Sequence, residues 1–208
     1  MSAVALTAAR EAIGFMADDE GLALHWLGRR ATAVGPLLEI GSYCGKSAIY
    51  LGAAAQEAGT ILYSVDHHRG SEENQPGEHY HDPRLVDAGG RVDTLPWFRR
   101  AISSAGLDDS VVAIVGDSTT VARHWSTPLG LVFIDGGHSE AAAQADYDAW
   151  SGLVMPGGIL AIHDVFPNPG DGGRPPYNVY LRALESGRFR EVPAQGSLRG
   201  LARVVGAT

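Results

Sequence analysis

The chain of 208 residues carries 16 basic and 24 acidic side chains for a formal net charge of −8, with 45% hydrophobic and 19% charged residues. This is the composition of a core-forming protein of one-domain size, residues 1–208, and an acidic balance without a basic run among aromatics argues against nucleic acid as a partner. The lone cysteine, Cys44, excludes an internal disulfide and a thiolate metal cluster, and no apolar run approaches the ~18 residues of a membrane span, so no membrane partner and a cytoplasmic location are expected.

In chain order, residues 5–28 read as an amphipathic helix broken near Gly14 and Gly21, within an N-terminal helical segment of residues 1–34. Strands and helices then alternate. Leu37 to Ile40 is a strand, followed by a helix from Ser47 to Ala58, and Ile61 to Val65 is the second strand. Residues 67–96 form a long polar, glycine-containing segment that yields, near Trp97, to a helix running to Ala105. Val111 to Val115 is the third strand, and Gly116-Asp117-Ser118 opens a short helix. Leu129 to Ile134 is the fourth strand, followed by a helix from Glu140 to Leu153. Pro156-Gly157-Gly158 turns into the fifth strand, Ile159 to Ile162. A helix near Tyr177 to Leu184 precedes two closely spaced strands, Phe189 to Val192 and Leu201 to Val205, which suit an antiparallel pair. Such alternation predicts an α/β fold, a doubly wound, mostly parallel sheet with helices on both faces. In that fold, ligands bind beyond the C-terminal ends of the strands.

Between the first strand and its helix lies Glu39-Ile40-Gly41-Ser42-Tyr43-Cys44-Gly45-Lys46-Ser47. A glycine turn opening a helix is a place to hold a charged small molecule. A phosphate-binding loop would need four residues between its glycines, and Gly41 and Gly45 enclose three. A dinucleotide fingerprint would need glycine where Tyr43 stands, so a ligand without a pyrophosphate is favoured. The second strand ends in Asp66, whose carboxylate can accept from both hydroxyls of a ribose. Asp117, Asp135 and Asp164 likewise follow apolar strands. Helix capping accounts for one such acid, and Asp117 is suited to it, but four along one edge exceed what capping explains.

With Val65-Asp66, Gly116-Asp117-Ser118, Ile134-Asp135-Gly136-Gly137-His138-Ser139, and Pro156-Gly157-Gly158 running to His163-Asp164, this ordered set resembles class I S-adenosylmethionine-dependent methyltransferases. The resemblance spans roughly residues 35 to 170 and is strongest to small bacterial metal-dependent O-methyltransferases, including macrocin-type sugar enzymes and cephalosporin-hydroxylase-like proteins. It implies a Rossmann-like sheet of seven strands with the last one antiparallel. It also implies S-adenosyl-L-methionine as cofactor. Gly41, Ser42, Gly45 and Ser47 would cradle the methionine end, and Glu39 would meet its amino group through water. Asp66 would take the ribose, and Asp117 and Ser118 would flank adenine, the Asp117 carboxylate accepting from the exocyclic amine.

Asp135, His163 and Asp164 end two strands that should be neighbours, where side-chain oxygens can converge on one cation. In the related enzymes these positions hold magnesium. His163 stands where that pattern has an acid, and imidazole suits manganese, zinc or iron better, so Mg2+ or Mn2+ is expected with Asp135 and Asp164 as the firmer ligands. His163 could instead sit behind the ligands or carry a proton. His138 occupies the place of a catalytic base, and a neutral imidazole near pH 7 can accept a hydroxyl proton. The expected reaction is in-line methyl transfer from the sulfonium to a hydroxyl of a saccharide or other polyol. Residues 67–96, with Asn168 to Tyr177, would cover the acceptor, and Tyr80, Trp97 and Tyr177 could stack on sugar faces or pack in the core. A homodimer through the N-terminal helix is expected. The competing readings are a nicotinamide- or metal-dependent oxidoreductase or hydroxylase on the same fold, and a non-catalytic relative that binds the cofactor.

Overall fold

The computed structural model describes residues 1–206. Seven strands form one sheet, β1 (Leu37–Ile40), β2 (Leu62–Asp66), β3 (Val111–Val115), β4 (Leu129–Ile134), β5 (Val154–Ile162), β6 (Phe189–Val192) and β7 (Arg199–Arg203). Their order is β3-β2-β1-β4-β5-β7-β6. β1 to β5 are mutually parallel, whereas β7 runs antiparallel to both β5 and β6. This is the Rossmann-like, seven-stranded arrangement with an antiparallel last strand.

Alternation along the strands sorts the core into two layers. Leu37, Leu131, Phe133, Ile159 and Ala161 face one side, with buried residues of α1 (Ala3–Glu11), α2 (Asp18–Ala31), α3 (Lys46–Glu57) and α4 (Leu95–Ser104). Leu38, Ile40, Val132, Ile134, Leu160 and Ile162 face the other, with α6 (Glu140–Trp150) and α7 (Pro175–Glu185) packed there and α5 (Ser118–Ala122) at its edge. Both faces of β1 and β4 are therefore covered, and both strands are buried throughout, with Glu39 the one acid among their apolar side chains.

Three elements differ from the expected ones. The N-terminal helix breaks near Gly14, but Gly21 lies inside α2. It is glycine because α2 crosses α3 there: a Cβ at Gly21 would lie 2.2 Å from Cε2 of Tyr50. Pro156-Gly157-Gly158 is not a turn before β5 but a bulge within it, between the pairs Leu129–Val154 and Leu131–Ile159. Pro156 has no N–H for the ladder and Gly157 takes φ +82°, so these residues leave the sheet and rejoin it. Residues 67–96 hold two 3-10 turns, Glu72–Asn74 and Pro83–Leu85, and a bridge between Val86 and Val92 before α4 begins at Leu95. Among the described residues, no helix is long and apolar enough to cross a membrane.

Candidate functional site

Because β1 to β5 are parallel, their C-terminal ends share one rim, and a cavity of about 680 Å³ runs along it. Of the residues singled out in the sequence, Gly41, Ser42, Ser47, Asp66, Asp117, Ser118, Asp135, His138, His163 and Asp164 line this cavity. Three non-glycine residues at strand ends on this rim have positive φ, Tyr43 (46°), His68 (57°) and Asp164 (53°). Backbone held in that region is strained, and such strain concentrates at functional sites.

At the first strand end, Gly41 takes φ +81°, and a Cβ on it would lie 2.1 Å from the carbonyl oxygen of Asp135. The turn is tied to β2 by Asp66. Its Oδ2 accepts from the backbone N–H of Ser42 (2.9 Å) and Tyr43 (2.8 Å), and its Oδ1 from that of His68 (2.6 Å). A carboxylate has about four acceptor positions. Asp66 thus spends most of its capacity on the turn and keeps one position on Oδ1 for a ligand hydroxyl. The Gly45 N–H donates to the Ser42 carbonyl. The turn's own amides are therefore largely used, and the open amides belong to the first turn of α3, which has no side-chain cap. Lys46 lies in that turn and lines the cavity; it is the only lysine in the chain.

Glu39 and Gly45 do not line the cavity. Gly45 takes φ +95° at the start of α3 and packs against Phe98 and Ala101 of α4. Glu39 is 0% exposed beneath the turn, where its oxygens accept from the hydroxyls of Ser47 (2.9 Å) and Ser64 (2.6 Å). Burial pushes its carboxyl up to about 8, against the partial opposition of those two hydroxyls. It is accordingly a neutral acid at pH 7 that braces Ser47, and any influence on a ligand passes through Ser47. Since the folded chain keeps a proton that the unfolded chain loses above the ordinary carboxylate range, this group lowers stability as pH rises from that range towards about 8. Glu39→Gln should keep the fold and flatten that decline in thermal melts between pH 5 and 8. Glu39→Ala should cost about 2–4 kcal/mol by leaving a cavity and two unpaired hydroxyls. A Glu39→Gln variant as unstable as Glu39→Ala would show that the side chain is charged.

At the third strand end, Asp117 caps α5, its Oδ1 accepting from the Thr120 N–H (2.8 Å) and the Thr119 hydroxyl (2.7 Å). Those bonds hold its carboxyl below the usual range. The Ser118 hydroxyl donates to Asp146 of α6, a buried carboxyl on the cavity wall that the motif reading passed over. The available signal was its place on the buried stripe Ala143, Tyr147, Trp150, where an acid is out of pattern.

At the ends of β4 and β5, Asp135, His138 and Asp164 each offer an atom within 4.8 Å of the others. His163, read as a ligand or as a group behind the ligands, lies beside this cluster. It is 5% exposed with both ring nitrogens engaged, Nδ1 with Asp135 Oδ1 (3.2 Å) and Nε2 with Glu20 Oε2 (3.1 Å). Burial opposes its charge, but Asp135, Glu20 and Asp164 outweigh burial and hold it well above the ordinary histidine value. His163 is thus an imidazolium that braces Asp135 from behind. Glu20 also accepts from the Ser197 N–H (2.5 Å) and hydroxyl (2.9 Å), and its carboxyl is held low, chiefly by His163. Glu20 lies within residues 5–28, read only as amphipathic helix, and an acid in the first turn of a helix gives no sign of so distant a partner.

His138 Nε2 lies 3.2 Å from Asp164 Oδ2, and Nδ1 3.4 Å from Glu73 Oε2. The bond to Asp164 pushes its imidazole up to about 9, burial opposing. That differs from a neutral base at pH 7, because the facing carboxylates favour the charged ring. Two carboxylates and one imidazole fit a divalent cation, and the imidazole favours manganese, iron or zinc over magnesium. The 67–96 segment reaches the cavity through Gly70, Ser71, Glu73, Asn74 and Tyr80. Phe15 stands 5.1 Å from the Tyr80 ring and 5.9 Å from that of Tyr43, forming an aromatic lip. Trp97 and Tyr177 stay outside the cavity wall; each carries a guanidinium over its ring, Arg100 and Arg174.

A family model described as a methyltransferase domain matches residues 38–165. Among solved structures, the chain resembles a Podospora anserina methyltransferase bound to SAH at 15% identity and a TM-score of 0.67, covering 98% of this chain and 88% of that one. It resembles TomG of Streptomyces achromogenes, an O-methyltransferase involved in tomaymycin synthesis solved with SAM, at 18% identity and a TM-score of 0.61, over 99% of this chain and 92% of that one. An O-methyltransferase from Bacillus cereus in complex with SAH matches at 16% identity and a TM-score of 0.63, over 95% and 87%. At these identities the likeness is one of fold.

Proposed function

From the premise that this chain belongs to the methyltransferase-domain family, we propose that it is an S-adenosylmethionine-dependent O-methyltransferase, assisted by a divalent cation and acting on a hydroxyl of a saccharide or other polyol. One observation carries the reading. A single cavity joins the glycine turn, Asp66 and the Ser118–Asp146 pair at one side to the Asp135–His138–Asp164 cluster at the other. The nucleoside would lie across the ends of β1 to β3. Asp66 would accept from a ribose hydroxyl, and the methionine carboxylate would meet Ser42, the first turn of α3 and Lys46. The acceptor would enter over Asp135 and Asp164.

Asp135 and Asp164 would hold the cation, which when bound acts as a Lewis acid and lowers the pKa of a neighbouring hydroxyl. His163, fixed by Glu20, holds Asp135 in place. Asp164 orients His138 to take the acceptor proton. S-adenosylmethionine would supply a sulfonium methyl group whose positive charge is lost on transfer to the acceptor oxygen, so alignment by these residues would supply much of the acceleration. The mixed lining supports a hydroxyl-rich acceptor, since Glu73 and Asp171 offer hydrogen bonds while Phe15, Tyr80 and Phe166 offer ring faces. Association of two copies through the outer face of α2, where Leu22 and Trp26 are exposed, belongs to the same proposal, with light scattering as its check.

Incubation with labelled S-adenosylmethionine, Mg2+ or Mn2+ and a panel of saccharides and catechols tests the reading. Labelled saccharide that disappears on exhaustive chelation is expected. Undiminished product after chelation removes the cation, and product from catechols alone removes the polyol. If His138 is itself a ligand, Mn2+ binding at pH 7 must displace its proton. Calorimetry in two buffers of different ionisation enthalpy should then show about one proton released per ion. No proton release, with Mn2+ affinity unchanged in His138→Ala, would leave His138 free as the proton acceptor.

A further inference from the structure

Beyond the end of β3 the cavity is lined by Gly116 to Thr119 and by Ala142, Ala145 and Asp146 of α6. Glycine and alanine leave room for a flat ring, and one polar group stands among them. Asp146 is 5% exposed. Its Oδ1 accepts from the Ser118 hydroxyl, and its Oδ2 has no hydrogen-bond donor among the described residues. A Cβ on Gly136 would lie 2.8 Å from that Oδ2, so a side chain at position 136 would crowd the carboxylate. Ala143, Tyr147 and Trp150 on the same stripe of α6 are buried in the apolar core. Packing alone would put an apolar residue at 146 as well. Asp146 Oδ2 is not sealed in the core but opens on the cavity, and a ligand that displaces water from it must bring a donor in its place. Burial pushes its carboxyl up to about 6, with Ser118 opposing, so it is chiefly an acceptor at neutral pH.

We propose that Asp146 selects the base of the bound nucleoside, its Oδ2 accepting a hydrogen bond from an exocyclic amine, so that the site takes a 6-amino purine and rejects a 6-oxo purine. This rests on the cofactor reading above and moves the base-reading role from Asp117 to Asp146. Asp117 is exposed and its Oδ1 is committed to capping α5. Water competes for what remains of Asp117, whereas a buried acceptor left facing a carbonyl oxygen finds no substitute partner.

The test compares S-adenosylhomocysteine with S-inosylhomocysteine, in which a carbonyl oxygen replaces the amine, by calorimetry on the wild-type protein, Asp146→Asn and Asp117→Asn, with melting curves as the check on folding. The wild type should bind the adenosine compound at least about 100-fold more tightly. Folded Asp146→Asn, whose amide can donate to the oxygen, should bring the ratio to about one or below. A wild-type ratio near one overturns the proposal without any variant, as does a folded Asp146→Asn that keeps the wild-type ratio. If Asp146→Asn does not fold, Asp117→Asn decides: a retained ratio supports Asp146, and a collapsed ratio returns the role to Asp117. Binding of neither compound to the wild type is a different failure, because it removes the cofactor reading itself.

Discussion

Gly41→Ala should lower stability by about 3–5 kcal/mol and the Tm by about 10 °C. Two costs add at this position. At φ +81° an L side chain is strained by about 1–2 kcal/mol. The new Cβ would also lie 2.1 Å from the Asp135 carbonyl oxygen, a backbone atom that cannot rotate away. Relief requires β1 and β4 to part at their ends, where Ile40 pairs with Ile134. That movement carries Asp135 with it, so S-adenosylhomocysteine binding and the cation cluster should both suffer. Gly59 supplies the control. It has φ +68°, but a Cβ there meets nothing within 4 Å, so Gly59→Ala should cost only the conformational strain. Chemical denaturation of the two variants side by side measures the difference. Equal losses would mean that the close approach of the two strand ends does not constrain position 41.

His138→Ala should lower kcat by about 10²–10⁴ while KM for S-adenosylmethionine changes little, because this side chain stands at the acceptor end of the cavity. The pH profile carries the sharper signature. With its imidazole pushed up to about 9 by Asp164, His138 is protonated at pH 7 unless a ligand displaces the proton, so activity should rise with pH towards that value. Asp164→Asn removes the main cause of the shift and should move the rising limb to lower pH. His138→Ala should abolish the limb. The same shift bears on folding. The folded state favours the charged ring, so its contribution to stability is full below the ordinary histidine value and is lost as pH rises through about 9. A rising limb that survives in His138→Ala would assign proton removal to another group.

Most strands were legible because they contain a short apolar run closed by a turn residue, and β1, β3 and β4 fall where the runs predict; β6, Phe-Arg-Glu-Val, was placed as well but carries charges at its two middle positions. Their alternation also placed Asp66, Asp117, Asp135 and Asp164 on one rim. What could not be read was which way each acid turns once there. Asp66 faces the turn amides because those N–H groups lie within reach only after β1 and β2 pair. Glu39 sits in a strand buried on both faces, and nothing in its neighbours' identities says that Ser47 and Ser64 will close over it. His163 reads as a ligand until Glu20, far away in sequence, takes its second nitrogen. Gly21 read as a break because glycine is a poor helix former, and only the crossing of α2 over Tyr50 shows why it is kept.

The clasp of Glu20 around His163 and Ser197 has a consequence for synthesis on the ribosome. Residues 20 and 197 are 177 positions apart, so the glutamate that fixes the histidine behind Asp135 receives its last partners only after the whole stretch between them has emerged. Contacts of such separation are closed late. A nascent fragment ending before Ser197 would leave this corner half built, and competence for chemistry would wait on the synthesis of that residue.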